Sequence, residues 1–345
     1  MPHPEPIAKA LHPAKILVIN VSRIGDTLAA TPAIHRLHTQ WPDAEITVVG
    51  GRRRIEVMEG AAGVSAVRSA SKWSVPFRGR FGRKPYDLAL VYHYDEPLLW
   101  YALRVARRVV AFRQKNPDIN RRLFVCVEPN AYPTVHFTEQ FLRLPAALGL
   151  AGNDGRIRYR CRPEETAAAE ARLLSLGFAD KRPLIGLQIA SFPTKSYRDW
   201  PEESFVELAR RILARWPDAG FLIYGGPQER PRTLRLAAQL SPHAAHLGGE
   251  LTLRQTAALM SLTDLYVGVD TGPTHLMSSF DIPIIGLYHP RHPASVYGPK
   301  DHPLDFSIDH PHRDDIDGEP RPMGDITVQC VFEQVEKALG MRGHA

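Results

Sequence analysis

The run Lys15-Ile16-Leu17-Val18-Ile19-Asn20-Val21, the turn Ser22-Arg23-Ile24-Gly25-Asp26-Thr27 and the later run Glu45-Ile46-Thr47-Val48-Val49-Gly50 decide the fold class. Both apolar runs are short and rich in β-branched residues, as strands buried on two faces are. Between them Leu28, Ala29, Pro32, Ile34 and Leu37 recur at helical spacing to Gln40, and Trp41-Pro42-Asp43 closes the helix. Strand, helix and strand within about 35 residues make a βαβ unit, hence a parallel pair with a right-handed crossover. Gly25 lets the chain turn tightly, and Asp26 then stands at the helix start, above the sheet. Two readings of Asp26 are open here. It is a helix N-cap, a role Asp favours, or it is a general base.

A second stretch is built the same way. Leu265-Tyr266-Val267-Gly268-Val269 runs into Asp270-Thr271-Gly272-Pro273-Thr274-His275 and on into Leu276-Met277-Ser278-Ser279-Phe280. Pro273 suits a first helical turn. A helix begun here aims unpaired N–H groups and a positive dipole end at whatever sits above the strand. That is an anion site at the carboxyl end of a strand, where open α/β sheets bind ligands. In isolation the pattern also fits an ordinary strand-to-helix turn. Its pairing with the Asp26 motif favours the functional reading of both.

The same alternation runs through the rest of the chain, which argues for the α/β class. Leu88-Ala89-Leu90-Val91-Tyr92 reads as a strand, and Arg104, Arg107 and Arg108 fall on a helical segment with Leu99, Leu103 and Val110. The stretch from Ser69 to Tyr86 reads as a basic surface loop, and Leu123 to Val127 as a strand followed by a helix. Gly152-Asn153-Asp154-Gly155 is a turn cluster near a domain boundary. A helix from Pro163 to Gly177, a strand from Leu184 to Ile189, a helix from Pro201 to Trp216 and a strand from Gly220 to Tyr224 follow. The expected domains are residues 1–160, residues 161–325, and a final helix at 326–345 with Val331, Val335 and Leu339 on one face, packing back toward the first domain. No repeat of 20–50 residues is present, which excludes a solenoid.

The composition, 44% hydrophobic and 23% charged, excludes a disordered chain, and no apolar run reaches the length of a membrane span. The first residues carry no signal-peptide core, so a cytoplasmic protein is expected. Cys126, Cys161 and Cys330 share no metal-type spacing and read as incidental thiols. Charge is uneven. Residues 1–150 hold 21 Lys and Arg against 12 Asp and Glu, a balance of +9, and the remainder holds 22 against 25, a balance of −3. The basic half calls for an anionic partner, a glycan or lipid surface, unless it is only solvated surface charge. Nucleic acid is disfavoured, because none of its familiar binding motifs is present.

Five motifs stand in order: Arg23-Ile24-Gly25-Asp26 with Pro32 and Trp41-Pro42; Arg198-Asp199-Trp200-Pro201; Gly225-Gly226-Pro227-Gln228-Glu229; Leu247-Gly248-Gly249 with Leu253; and Asp270-Thr271-Gly272-Pro273-Thr274-His275. Together they resemble those of the lipopolysaccharide inner-core heptosyltransferases, glycosyltransferase family 9. The resemblance implies a GT-B fold, two facing Rossmann-like domains with a cleft between them, and inverting, metal-independent transfer of heptose from ADP-heptose. It implies Asp26 as the catalytic base. It places Lys195, Arg198, Glu229, Asp270, Thr271, Gly272 and His275 at the nucleotide-sugar donor. The basic first domain would then hold an anionic, lipid-linked glycan acceptor through Arg23, Lys72, Arg78, Arg80 and Arg121, and would meet the inner leaflet peripherally.

Three departures stand out. Arg198 occupies a place where the family commonly has Lys, and Lys195 is near enough to share its work. After Ile284-Ile285-Gly286-Leu287 the chain continues Tyr288-His289-Pro290 where the family tends to Phe-Gly-Pro, which leaves the donor open. Met277 stands where a small residue is usual. Asp315-Ile316-Asp317, with His310 and His312, is readable as a metal site, but it lies in Pro-rich irregular sequence and reads better as a solvated acidic loop. Other open readings are a relative using another nucleotide sugar or acceptor, and a non-catalytic glycan- or nucleotide-binding protein. A dinucleotide oxidoreductase is excluded, since no Gly-x-Gly-x-x-Gly follows the first strand.

Overall fold

Two runs of buried, β-branched strands organise the chain in the computed structural model, which describes residues 7–52, 54–70, 83–129, 135–150, 152, 154–314, 321–341 and 343. The chain divides into two units, Met1–Arg160 and Cys161–Ala345. The first contains β1 (Lys15–Asn20), α1 (Ile24–Ala29), α2 (Thr31–Gln40), β2 (Glu45–Gly50), β3 (Ala66–Ser69), β4 (Tyr86–Val91), α3 (Glu96–Val105), β5 (Ala106–Phe112), α4 (Pro117–Asn120), β6 (Val125–Val127) and α5 (Phe137–Ala147). Its sheet has the order β3-β2-β1-β4-β5-β6, with every neighbour parallel. The winding direction reverses between β1 and β4, so their carboxyl ends flank the switch point, the usual ligand crevice of such a sheet.

The second unit contains α6 (Pro163–Leu176), β7 (Leu184–Gln188), α7 (Glu202–Arg215), β8 (Gly220–Tyr224), α8 (Arg230–Gln239), β9 (Ala244–His246), α9 (Leu253–Met260), β10 (Leu265–Val269), α10 (Gly272–Met277), β11 (Ile284–Tyr288), α11 (Ala294–Tyr297), β12 (Ile308–Asp309) and α12 (Val328–Met341). Its order, β12-β11-β10-β7-β8-β9, repeats the plan of the first, again all parallel. Here the switch point lies between β7 and β10. Each unit has its own core: Leu17, Ile19, Ala89 and Val91 under Leu98 and Ala102 in the first, and Ile185, Val267 and Ile285 under Phe205, Leu208 and Ile212 in the second. Burying each Leu, Ile or Phe contributes about 1.5–3 kcal/mol.

Several elements differ from their sequence reading. The single helix expected after the first turn is two, α1 and α2, with Ala30 between them. Pro32 is the cause: it lacks an N–H and its ring clashes with the preceding turn, so it starts a helix better than it continues one. Arg107 and Arg108 are on β5, not on a helix, because α3 passes directly into β5 at Ala106. The pairing of Val109 and Val110 with Ala89 and Leu90 outweighs the local helical spacing. The final helix was expected to pack toward the first domain, but Val331, Val335, Ala338 and Leu339 lie in the second unit's core. Trp200, fully buried there, donates its indole N–H to the Ile326 carbonyl at 2.8 Å and ties the segment before α12 to the loop before α7.

Candidate functional site

β10 is buried at every residue, and the chain leaves it at Asp270. Thr271 is extended (φ −148°, ψ 172°) and opens α10, with Pro273 in its first turn. Thr274 Oγ1 donates to the Val269 carbonyl at 2.6 Å, and the buried Tyr266 hydroxyl lies 3.0 Å from Thr274 Oγ1. The hydroxyl pair therefore welds the start of α10 to the strand beneath it. Tyr266 has room for its ring only because Gly268 is glycine: a Cβ there would stand 2.7 Å from the ring.

The strand beside β10 is β7, and the chain leaves it into Ser191 and the 3₁₀ stretch Pro193–Arg198. This is why Arg198 meets Asp270. Arg198 Nη1 donates to Asp270 Oδ2 at 2.6 Å, with the two side chains 14% and 2% exposed. His275 Nε2 lies 3.5 Å from Asp270 Oδ1. Burial alone would raise the Asp270 pKa. The hydrogen bond and charge of His275, then the charges of Arg198 and His292, outweigh it and hold the carboxyl below its ordinary value. The resemblance placed Asp270 at the nucleotide-sugar donor; in the structure its two oxygens meet Arg198 and His275. Arg198 Nε is buried without a hydrogen-bond partner.

The loop carrying Arg198 is held from behind. Asp199 Oδ1 accepts from the Ser191 N–H at 2.7 Å, and Asp199 Oδ2 accepts from Arg232 Nη1 at 2.6 Å. Ser191 Oγ lies 2.7 Å from the Lys195 carbonyl. Arg232 is in the first turn of α8, three residues after Glu229, so this network joins the Arg198 loop to the Gly225-Gly226 turn. Glu229 is half-buried and folds back over that turn, its Oε2 only 2.6 Å from where a Cβ of residue 226 would stand. A side chain at Gly226 would thus displace the Glu229 carboxylate.

An aromatic layer completes the cluster. Tyr197 meets His289 edge-on, with ring centroids 5.0 Å apart, and lies 6.1 Å from His292. Lys195 Nζ and the Arg198 guanidinium sit 5.6 and 5.7 Å from the centre of the Tyr197 ring. Burial first, then the charge of His310 on His289 and of Arg198 on His292, pushes both histidines down to about 4, so both rings are neutral near pH 7. Tyr197, His292, Asp199 and Arg232 were not among the expected site residues. The only sequence signal was adjacency: Tyr197 and Asp199 flank Arg198, and His292 follows the Tyr288-His289-Pro290 departure.

In the first unit Asp26 is not the N-cap of α1. Arg23 takes that position with extended backbone, and Asp26 falls in the first turn, where a carboxylate favours the helix dipole. Asn20 Nδ2 donates to the Asp26 carbonyl at 2.7 Å and pins the turn to the end of β1. Arg23 is exposed, and Arg121 is exposed and paired with Asp118. Lys72, Arg78 and Arg80, like Asp315 and Asp317, lie outside the described residues. Among the described residues no group of three or more His, Cys, Asp or Glu is arranged to hold a metal. His310 is buried and bound by backbone, its Nε2 3.2 Å from the Pro322 carbonyl and its Nδ1 accepting from the His312 N–H. Among them, too, no helix is long and apolar enough to cross a membrane.

Residues 129–309, more than half of the chain, match the family model of glycosyltransferase family 9 (heptosyltransferase). The chain belongs to this family. This family-9 glycosyltransferase is 19% identical over 289 residues to the lipopolysaccharide core heptosyltransferase OpsX of Haemophilus influenzae, covering 81% of this chain and 80% of that one. Its fold is that of solved members. The glycosyltransferase family 9 protein of Veillonella parvula superposes with a TM-score of 0.83 at 21% identity, covering 95% of this chain and 98% of that one. The Escherichia coli ADP-heptose lipopolysaccharide heptosyltransferase II superposes with a TM-score of 0.78 at 19% identity, covering 96% and 100%. The two parallel sheets are thus the two Rossmann-like sheets of a GT-B glycosyltransferase.

Proposed function

We propose that the protein transfers heptose from ADP-heptose, with inversion, to an anionic lipid-linked acceptor of the lipopolysaccharide inner core. The reaction would run in the cytoplasm, peripheral to the inner membrane, and without a metal. The observation that carries this reading is the Arg198–Asp270–His275 cluster at the switch point of the second sheet, joined through Asp199 and Arg232 to the turn that bears Glu229. Support for the donor and acceptor comes from the names of the E. coli and H. influenzae relatives, and for an anionic acceptor from the +9 balance of residues 1–150.

In this reaction the Asp26 carboxylate takes the proton of an acceptor hydroxyl as its oxygen bonds to the anomeric carbon. The bond from that carbon to the diphosphate breaks, and its electron pair leaves with the diphosphate. Attack opposite the leaving group inverts the centre. Arg198 keeps unused N–H groups beside Asp270, and Lys195 makes no ion pair among the described residues; both meet the charge that grows on the leaving oxygens. Backbone N–H groups at Thr271 and Gly272 add to it, and Glu229 accepts from ribose hydroxyls. Asp270 holds Arg198 and His275 in place.

The test is product formation from a panel of nucleotide sugars with a deacylated inner-core acceptor, with and without EDTA. ADP-heptose is expected to be the donor, with no effect of chelation. Transfer from another nucleotide sugar would install the alternative donor, a reading favoured by the His289 and His292 rings standing beside Arg198. Binding without turnover of any sugar would leave a binding protein.

A further inference from the structure

The first sheet has its own switch point, between β1 and β4, and β4 runs out into His93, Tyr94 and Asp95. His93 Nδ1 accepts from the Asp95 N–H at 3.2 Å, so Nε2 carries the proton and donates to the Val21 carbonyl at 3.0 Å. The turn after β4 is therefore tied to the turn after β1, which leads to Asp26. Tyr94 projects from this tied turn. It is 57% exposed, unusual for so large an apolar side chain. It is also held. Its ring stacks on the buried Phe112 at the end of β5, with centroids 6.2 Å apart and planes 23° from parallel.

Arg143 of α5 lies over the same Phe112, its guanidinium carbon 5.9 Å from the ring centroid. Its Nη1 is buried without a hydrogen-bond partner, and it has no carboxylate partner among the described residues. Its neighbours in sequence type are already satisfied: Arg113 pairs with Glu128 and Arg121 with Asp118. The charge of Arg143 reaches Tyr94, where burial raises the hydroxyl pKa and Arg143 partly opposes it. A supported flat aromatic face offers contact to the C–H groups of a sugar ring at little entropic cost, and a guanidinium with spare N–H groups suits a carboxylate or phosphate.

We infer that Tyr94 and Arg143 form a glycan subsite of the first unit, taking a pyranose ring that bears an anionic substituent. It deepens the proposed function, resting on it for the statement that the bound glycan is the acceptor. The other basic residues considered for that role are paired, exposed or outside the described residues; this pair is anchored at the ligand end of the sheet.

Binding to the full-length protein is measured without donor, by ligand-observed NMR and calorimetry. The probes are methyl glucuronide, methyl glucoside 6-phosphate, uncharged methyl glucoside and a deacylated inner-core oligosaccharide. Tyr94→Ala is expected to weaken the anionic sugars and the core fragment by about tenfold or more, and Tyr94→Phe by less than about twofold. Arg143→Gln should bring the anionic probes down to the uncharged one, with Arg143→Lys intermediate. The stronger of the two anionic arms identifies carboxylate or phosphate. ADP affinity, a property of the second unit, should be unchanged in every variant and reports an intact fold. Wild-type affinity in Tyr94→Ala, equal loss in Tyr94→Phe and Tyr94→Ala, or no binding of any probe by the parent up to about 10 mM overturns the subsite. Glycan binding that survives while ADP-heptose transfer fails would sink the donor reading and leave the subsite standing.

Discussion

Removing Arg198 should do two separable things. Asp270 is 2% exposed, and Arg198 Nη1 at 2.6 Å is its tighter partner, with His275 at 3.5 Å the looser. Breaking a buried pair from one side costs about 3–5 kcal/mol, because a charge is left without its partner. His275 stays, so Arg198→Ala should fall near the lower end, about 3 kcal/mol. For a unit of 150–250 residues that is a drop of about 6–12 °C in Tm. Under the proposed function the same substitution would also remove a charge-assisted contact to diphosphate worth about 1.5–3 kcal/mol, or about 10- to 150-fold in ADP affinity. Asp270→Asn in the Arg198→Ala background removes the stranded charge. The double variant should therefore recover much of the stability and none of the affinity. Urea melts of the parent, both single variants and the double give the coupling energy, and calorimetric titration with ADP gives the affinity. Additive destabilisation would refute the pair as an energetic unit. ADP affinity that returns together with stability would show that Arg198 serves only to neutralise Asp270.

Three further outcomes are expected. Asp26→Asn should keep the fold and ADP affinity while lowering kcat by about 10²-fold or more, read in a coupled ADP-release assay; near-normal turnover removes Asp26 as the base. His289 and His292 have pKa values near 4 in the fold against 6.5 ordinarily, so between these values the unfolded chain binds more protons. Their contribution is full above about pH 6.5 and is lost as pH falls through about 4, and the depressed carboxyl of Asp270 adds a further loss below its ordinary 3.8. Melting temperatures from pH 4 to 7 should fall toward acid in the parent and flatten in a His289→Phe/His292→Phe variant; an equal slope in both would be contrary. Trp200→Ala, at a fully buried site that also holds the Ile326 carbonyl, should cost about 3–5 kcal/mol in urea unfolding, and Trp200→Phe clearly less.

What was readable in the chain was what is local. The run from Lys15 to Gly50 announces a parallel sheet because buried strands need continuous apolar residues, and the run from Asp270 to His275 announces a strand-end turn because its residues are adjacent. The sheet order is not local. Arg198 and Asp270 are 72 residues apart, and they meet only because β7 and β10 are neighbours at the switch point. The motifs marked both residues as important without giving their contact. The Asp199–Arg232 link, the Tyr197 layer and the Tyr94–Phe112 stack were hidden for the same reason: each joins residues from separate elements that only the sheet order brings together. Where local signals competed, the expectation failed by physics that can be named. Pro32 split a helix, the β4–β5 ladder took Arg107 and Arg108 from one, and the apolar face of α12 found its burial in the second core.

The internal pairing of Asp270 bears on how the proposed site handles charge. In the proposed reaction, Arg198 alone would present a full cation to the diphosphate already in the bound donor. With Asp270 ionised against it, part of that field is spent before any ligand arrives, and the neutral His289 and His292 rings add nothing to it near pH 7. In the proposed site the attraction left for the bound donor would be moderate, supplied by Lys195 and by the open edge of Arg198. It would grow as the bond to the diphosphate lengthens and negative charge collects on the leaving oxygen. An interaction that is stronger in the transition state than in the bound donor is the kind that raises turnover and not only affinity. Under the proposed function, the buried carboxylate beside Arg198 would keep donor binding moderate and leave the gain for the leaving oxygens.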